Sequence, residues 1–114
     1  MGVAYYANYF VWFEVGRCEL LRALGRTYHD LENDGILLPV IEAHCEFIDS
    51  ARYDDELQIA TTGSLVSPVR VQFRYDVSRC SDSTPLATGR TVHAALDAGG
   101  KLRRLPQEIQ AVLK

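Results

Sequence analysis

Apolar positions spaced three and four residues apart run through the first quarter of the chain and predict an amphipathic helix. Asn8 is a plausible N-cap for this helix, and Gly25 is a plausible C′ residue. Gly16 lies inside the helix, where glycine costs about 1 kcal/mol relative to alanine, so we expect close contact with a neighbouring backbone there. The predicted apolar stripe comprises Tyr9, Trp12, Phe13, Gly16, Leu20, Leu21 and Leu24.

Four later segments alternate apolar and polar residues, as half-buried strands do. Short turn-like segments separate them, so neighbouring strands should be mainly antiparallel. A short terminal helix, residues 106–113, carries Pro106 in its first turn. The chain is therefore predicted to be a single α+β domain over residues 1–114, with one main helix on one sheet. The predicted strands are residues 41–47, 57–65, 69–77 and 86–96.

Composition narrows the class of protein without assigning a function. The 114 residues are 47% hydrophobic and carry a net charge of -3, which is typical of a globular domain and lacks the basic surface of a nucleic-acid binder. Cys18, Cys45 and Cys80 are odd in number and scattered, which favours a reducing, cytoplasmic location. We expect no membrane span, because no apolar stretch is long enough.

The usual catalytic patterns are absent from the sequence: a glycine-rich phosphate loop, a nucleophile elbow and paired metal-binding cysteines. His44 and His93 alternate with apolar neighbours and could share a polar strand face, where a solvated or structural role is the simpler interpretation. Glu14 is interpreted as a helix-flank carboxylate paired with Arg17, and the alternative is a group facing a pocket at a subunit boundary.

Two further groups of residues allow both a structural and a binding role. The aromatic residues Tyr5, Tyr6, Trp12 and Phe13 can form core and also floor a pocket. The basic cluster Lys101, Arg103 and Arg104 is either a solvated turn or a clamp for the phosphates of one anionic ligand.

The beginning of the chain carries the most specific signal. An apolar stretch, residues 2–6, leads directly into the aromatic helix, whose first N–H groups are suited to hold a polarised carbonyl oxygen. Residues 1–17 closely resemble the signature of hotdog-fold acyl-CoA thioesterases, in the branch of 4-hydroxybenzoyl-CoA thioesterases and Tol-Pal-associated acyl-CoA thioesterases. The likeness continues through residues 19–25, 53–57, 73–79, 87–91 and 102–106.

The resemblance implies a long helix wrapped by a curved antiparallel sheet, assembled as a homodimer or homotetramer. It implies hydrolysis of an acyl-CoA thioester with no metal and no cofactor, at a site between subunits. Tyr6 matches the position whose backbone N–H polarises the thioester carbonyl. Lys101 and Arg103 match positions that contact the CoA phosphates. The implied substrate-binding residues are Val3, Tyr5, Asn8, Phe13 and Glu14.

One element of the family pattern has no counterpart in the sequence. The catalytic aspartate of the family stands just before the segment that matches Met1 and Gly2, on the first strand of the sheet. We therefore expect that Met1 is an internal methionine of an N-terminally truncated domain. An alternative function on the same fold is a non-catalytic module that binds acyl-CoA or acyl-carrier protein. A hotdog dehydratase acting on enoyl-CoA is less consistent with the sequence, because its Asp/His helix pattern is not found.

Overall fold

The computed structural model describes residues 8–52 and 54–113, with Asn8 described by its backbone alone. The predicted order of one long helix, four strands and a short terminal helix is confirmed, and one additional helix lies between the first helix and the sheet. The elements are α1 (Asn8–Ala23), α2 (Tyr28–Asn33), β1 (Val40–Phe47), β2 (Leu57–Ser67), β3 (Arg70–Arg79), β4 (Pro85–Ala94) and α3 (Gln107–Val112).

The four strands of the described chain form one antiparallel sheet in the order β1-β4-β3-β2. The consecutive strands β2, β3 and β4 are neighbours, as their short connections predict. Strand β1 pairs with β4 instead, so β1 and β2 are the two edge strands. A register shift between Val40 and Glu42 interrupts the β1–β4 ladder near its start.

Helix α1 packs against one face of this sheet, and Gly16 is the point of closest approach. A Cβ atom on Gly16 would lie 2.4 Å from the Thr61 hydroxyl oxygen and 3.2 Å from a methyl carbon of Ile59. The predicted close contact at Gly16 is therefore confirmed, and its neighbour is strand β2. The buried core beneath the helix includes Tyr9, Phe13, Leu21, Val71, Phe73, Tyr75 and Val77.

Helix α2 was not predicted, because its six residues bury only Leu31 and leave no periodic apolar stripe. A capping box starts it: the Asp30 N–H donates to the Thr27 hydroxyl, and the Thr27 N–H donates to the Asp30 carboxylate. Arg26 forms ion pairs with Asp34 and Glu108. These contacts tie the end of α1 to the segment after α2 and to α3.

The last predicted strand is shorter than expected at its C-terminal end. Strand β4 stops at Ala94, and Leu96 then forms isolated bridges with Leu37 and Leu102. The terminal helix begins after Pro106, which is its N-cap. Within the described chain, none of the helices combines the length and the apolar character needed to cross a membrane.

Candidate functional site

The N-terminal end of α1 is the first part of the candidate site. Helix α1 begins at Asn8, and its first turn contains no acidic residue. The first N–H groups of a helix have no acceptors within that helix, and they carry the positive end of its dipole. This end is therefore suited to an oxygen atom that gains negative charge. Val3, Tyr5, Tyr6 and the side chain of Asn8 lie outside the described residues, so their roles stay predictions.

Aromatic rings line the helix just after this end. The buried ring of Tyr9 makes edge-to-face contacts with Trp12, at 4.7 Å between centroids, and with Phe47, at 5.0 Å. Phe47 ends strand β1, so these contacts join the start of the helix to an edge strand. The rings form an apolar wall beside the helix N-terminus.

Phe13 lies deeper than a pocket-lining residue would. Its ring is 0% exposed and stacks on Tyr75, with 4.3 Å between centroids and 9° between planes. A Cβ atom on Gly89 would come within 2.4 Å of the ring. Phe13 is therefore core between α1 and the sheet, and direct contact with substrate stays a prediction.

Glu14 is exposed and lines a groove of about 570 Å³ between α1, α2 and the segment before β1. The expected ion pair between Glu14 and Arg17 is wrong for the described chain: Arg17 turns inward, and its guanidinium donates a hydrogen bond to the Tyr75 hydroxyl at 3.5 Å. Glu14 is thus left on the rim. The other residues that line the groove are Arg17, Cys18, Tyr28, Glu32, Leu37, Leu38, Pro39 and Leu96.

A hydrogen-bond chain leads from Arg17 through the core. The Tyr75 and Thr91 hydroxyls are 2.6 Å apart, and Thr91 is 2.9 Å from Nε2 of His93. Nδ1 of His93 is 2.9 Å from the carbonyl oxygen of Leu38, which only accepts, so Nδ1 carries the proton. In the neutral ring Nε2 then accepts from Thr91, and Thr91 accepts from Tyr75.

Burial sets the charge states along this chain. His93 is 1% exposed, and its burial lowers the pKa of the imidazole despite the opposing effect of the hydrogen bond to Leu38. Burial also raises the pKa of the Tyr75 hydroxyl. Burial therefore favours the neutral forms of Tyr75 and His93 that the hydrogen-bond chain requires. Through His93, this hydrogen-bond chain holds Leu38 beside the groove.

Tyr28 lies in the same groove but outside this chain. Burial raises its pKa to about 12, against the opposing charge of Arg17. Its hydroxyl oxygen is buried and makes no hydrogen bond of regular geometry within the described residues. Among the described residues, the Tyr28 hydroxyl therefore relies on the nearby charge of Arg17 rather than on a well-formed hydrogen bond.

His44 and His93 do not share a strand face, contrary to one sequence-based arrangement. His93 points into the core beneath the helix, whereas the His44 side chain is 54% exposed on the opposite face, near Glu46. The register shift between Val40 and Glu42 separates the two faces. Cys45 is half-buried against the core, as predicted, and all three cysteines are free. No cluster of three or more potential metal ligands occurs among the described residues.

The basic cluster lies on the turn after β4. The Asp97 carboxylate accepts hydrogen bonds from the backbone N–H groups of Gly99 and Lys101, which orders this turn. The Arg103 guanidinium donates to the backbone carbonyl oxygen of Asp34 at 2.6 Å. Lys101, Arg103 and Arg104 are all exposed. One guanidinium is therefore held in place beside solvent, and contact with phosphate stays a prediction.

Sequence reasoning missed both the groove and the buried hydrogen-bond chain. The groove needs α2, whose short sequence has no periodic signal. The sequence did contain a signal for the hydrogen-bond chain, because Thr91 and His93 are two residues apart on a strand and therefore share a face. Tyr75 is on the adjacent strand β3 and pairs with Gly89, which is two residues before Thr91 on the same face.

Comparisons with known proteins all point to one family. Residues 1–113 match the thioesterase-like superfamily. YneP of Bacillus subtilis (strain 168), provisionally named an acyl-CoA thioesterase, is 39% identical over 61 residues, which are 54% of this chain and 44% of YneP. The matched part of the chain thus spans less than half the length of that relative.

Solved structures agree with the family match. The 1,4-dihydroxy-2-naphthoyl-CoA thioesterase Slr0204 from Synechocystis superposes with a TM-score of 0.91 at 23% identity, over 98% of this chain and 83% of that one. At that identity the likeness shows the fold, and the predicted hotdog architecture is confirmed. The DHNA-CoA thioesterase from Staphylococcus aureus is 30% identical with a TM-score of 0.85, over 92% of this chain and 70% of that one.

Proposed function

Because the chain belongs to the thioesterase-like superfamily, we propose that it hydrolyses the thioester of an acyl- or aroyl-CoA to the free acid and CoA. The observation that carries this proposal is the family match over residues 1–113, nearly the whole chain. The names of the two thioesterase relatives specify CoA esters, which is the reason for choosing this substrate class.

In this proposal the thioester carbonyl oxygen sits at the N-terminal end of α1. The backbone N–H of Tyr6 donates to it, and the helix dipole favours the negative charge that develops as the carbonyl carbon becomes tetrahedral. Removal of one oxyanion-hole donor typically costs about 10²–10³ in kcat in enzymes of acyl transfer. The absence of an acidic residue from the first turn of α1 supports this role, because no carboxylate there competes for the positive end.

Binding of the remainder of the substrate is assigned to two regions. Val3, Tyr5, Asn8, Phe13 and Glu14 are proposed to surround the acyl group. Lys101 and Arg103 are proposed to bind the CoA phosphates, and the exposure of both residues supports this assignment.

The site is proposed to lie between two subunits. Strand β1 is an edge strand, so one side of its backbone can pair with another chain. Large apolar side chains are exposed on α1 and on β1, which is typical of surfaces that another subunit covers. They are Phe10, Val11, Val15, Val40, Ile41 and Phe47, each 44–54% exposed. We infer a homodimer that joins these surfaces and brings a second chain close to the start of α1.

The test is hydrolysis of a panel of acyl- and aroyl-CoAs, followed by release of the CoA thiol. We propose that the acid that attacks the carbonyl, or activates water, lies upstream of Met1. The assay therefore compares the 114-residue chain with one extended through the upstream in-frame codons. We expect turnover from the extended chain and at least a 10²-fold lower rate from the shorter one. Equal rates would contradict the upstream acid, and no turnover by either would contradict the enzyme. Binding of acyl-CoA without turnover would support the non-catalytic module.

A further inference from the structure

The C-terminal end of α2 is held by two guanidinium groups from other parts of the chain. Asp34 is the C-cap of this helix and is exposed. Its carboxylate forms an ion pair with Arg26, which follows the end of α1. Its backbone carbonyl oxygen accepts a hydrogen bond from the Arg103 guanidinium at 2.6 Å. The end of α2 is therefore fixed once through a side chain and once through the backbone.

The contact between Arg103 and the Asp34 carbonyl oxygen is closely fitted. A Cβ atom on Gly35 would lie 3.1 Å from Nη1 of Arg103, and the φ of Gly35 is +79°, in the region that favours glycine. The Arg103 backbone is fixed too, since its N–H donates to the Ala95 carbonyl oxygen at 2.8 Å. Arg103 can thus change partners by moving its exposed side chain alone.

Helix α2 depends on its end contacts more than a longer helix would. It has six residues, of which only Leu31 is buried, and helices this short have little stability of their own in water. The capping box of Thr27 and Asp30 fixes its start. Loss of the Arg103 contact should therefore loosen the other end locally, while the ion pair with Arg26 keeps that end attached.

The proposed function gives Arg103 a second partner, a phosphate of CoA, and the present inference rests on that assignment. A charged phosphate is a stronger acceptor than a neutral carbonyl oxygen. The five donors of a guanidinium lie in one rigid plane, so turning them toward a phosphate moves Nη1 away from Asp34. We propose that the Asp34 carbonyl oxygen competes with CoA for the Arg103 guanidinium. Binding of CoA frees the end of α2, and the return of Arg103 to Asp34 favours release of CoA as a product.

Competition of this kind is reciprocal. A change that weakens the Arg103–Asp34 contact and leaves the guanidinium intact must strengthen CoA binding. Gly35→Ala is such a change, because the new Cβ crowds Nη1 of Arg103. Lys101 provides the opposite comparison, since it is the second proposed phosphate ligand. Within the described chain, no hydrogen bond or ion pair joins Lys101 to α2.

The first test measures hydrogen exchange by mass spectrometry in the fragment that covers α2, with CoA or with pantetheine, which has no phosphate. The backbone N–H groups of Asp34, Gly35 and Ile36 report on the end of the helix, because each donates to a carbonyl oxygen within it. We expect saturating CoA to raise their exchange rates about 2- to 10-fold, the effect of one hydrogen bond on a local opening equilibrium. Pantetheine should leave them unchanged.

Three variants separate the two partners of Arg103, with CoA affinity measured by calorimetry. Arg103→Gln should raise exchange in the free protein, weaken CoA binding about 10-fold and abolish the response to CoA. Lys101→Gln should weaken CoA binding similarly and leave exchange in the free protein unchanged. Gly35→Ala should raise exchange and bind CoA about 2- to 10-fold more tightly. The matched control, Arg104→Gln, should resemble the unmodified protein in both measurements.

The proposal is overturned if CoA binds and the exchange of α2 stays the same or slows. It is also overturned if Gly35→Ala, shown to be folded by circular dichroism, binds CoA no more tightly than the unmodified protein. If Gly35→Ala does not fold, the exchange of Arg103→Gln against that of Lys101→Gln decides. Failure of the phosphate assignment is distinguishable, because both of these variants would then bind CoA as the unmodified protein does, and the competition would fail with it.

Discussion

The ring of Phe13 lies directly against the backbone of Gly89. A Cβ atom on Gly89 would stand 2.4 Å from two ring carbons of Phe13 and 3.0 Å from the carbonyl oxygen of His44. The ring has little freedom to move, because it is fully buried and one of its faces is stacked on Tyr75. We therefore expect Gly89→Ala to lower the free energy of unfolding by about 1–3 kcal/mol, as overpacking of a core does. Urea denaturation measures the change.

The control for this prediction changes the other partner. Phe13→Leu removes ring atoms that the new methyl group would meet, at its own cost in burial. In the double variant Gly89→Ala, Phe13→Leu, the loss should be smaller than the sum of the two single losses. Simple additivity would show that the ring is not what restricts residue 89.

A second prediction concerns the contact between α1 and β2. In a free helix Gly16→Ala would gain about 1 kcal/mol of helix propensity. Here the new Cβ would lie 2.4 Å from the Thr61 hydroxyl oxygen, so we expect a net loss of about 1–2 kcal/mol on urea denaturation. Thr61→Ala removes that oxygen, which is buried without a hydrogen-bond partner among the described residues. The double variant should therefore regain stability over Gly16→Ala, and a further loss would contradict this explanation.

Two buried tyrosines allow a matched test of the hydrogen-bond chain. Tyr75→Phe leaves Thr91 and Arg17 without the hydroxyl that links them, which should cost about 1–3 kcal/mol in the free energy of unfolding. Tyr28→Phe removes a hydroxyl that makes no hydrogen bond of regular geometry among the described residues, so stability should change by less than about 0.5 kcal/mol or increase. Equal costs for the two substitutions would show that the chain does not contribute in the way described.

Burial of His93 predicts a pH dependence of stability. Its folded-state pKa lies below the ordinary value of 6.5, so the unfolded chain binds a proton first as the pH falls. Stability from this group is complete above pH 6.5 and declines as the pH drops below it, by at most about 1.4 kcal/mol per pH unit. Urea denaturation between about pH 5 and 7.5 measures the slope. His93→Gln should flatten it, and the exposed-site control His44→Gln should not.

The sequence predicts those parts of this fold that have a regular apolar period. The stripe that includes Phe13 and Leu21 identified α1, and strict alternation identified β3. Gly16 indicated a close contact, because glycine destabilises a helix unless close packing of a neighbouring element offsets that cost. Helix α2 has a single buried residue, Leu31, and therefore no period to detect.

Residues of the candidate site were harder to predict, for three physical reasons. The core-facing side of β4 carries the small or polar residues Gly89, Thr91 and His93, so it lacks the apolar contrast that identifies a buried face. Whether His44 and His93 share a face also depends on the register shift in β1. That shift arises from the pairing of β1 with β4 and leaves no local signal in the sequence. Arg17 turns inward toward the Tyr75 hydroxyl. Tyr75 is 58 residues away in the sequence, so this contact cannot be predicted from local spacing.

The last prediction separates a role in CoA binding from a structural role for the basic cluster. Lys101→Gln and Arg103→Gln should each raise the KM for an acyl-CoA about 10-fold in the extended chain, since a charge-assisted contact to phosphate contributes about 1.5–3 kcal/mol. The phosphates are bound equally in the ground and transition states, so kcat should change little. The matched control is Arg104→Gln, an exposed neighbour outside the proposed pair. Arg103 also holds the Asp34 carbonyl, so a thioester of N-acetylcysteamine, which has no phosphates, provides the second readout. Kinetics with that substrate should be unaffected by either substitution, and an equal loss with both substrates would assign Arg103 to stability alone.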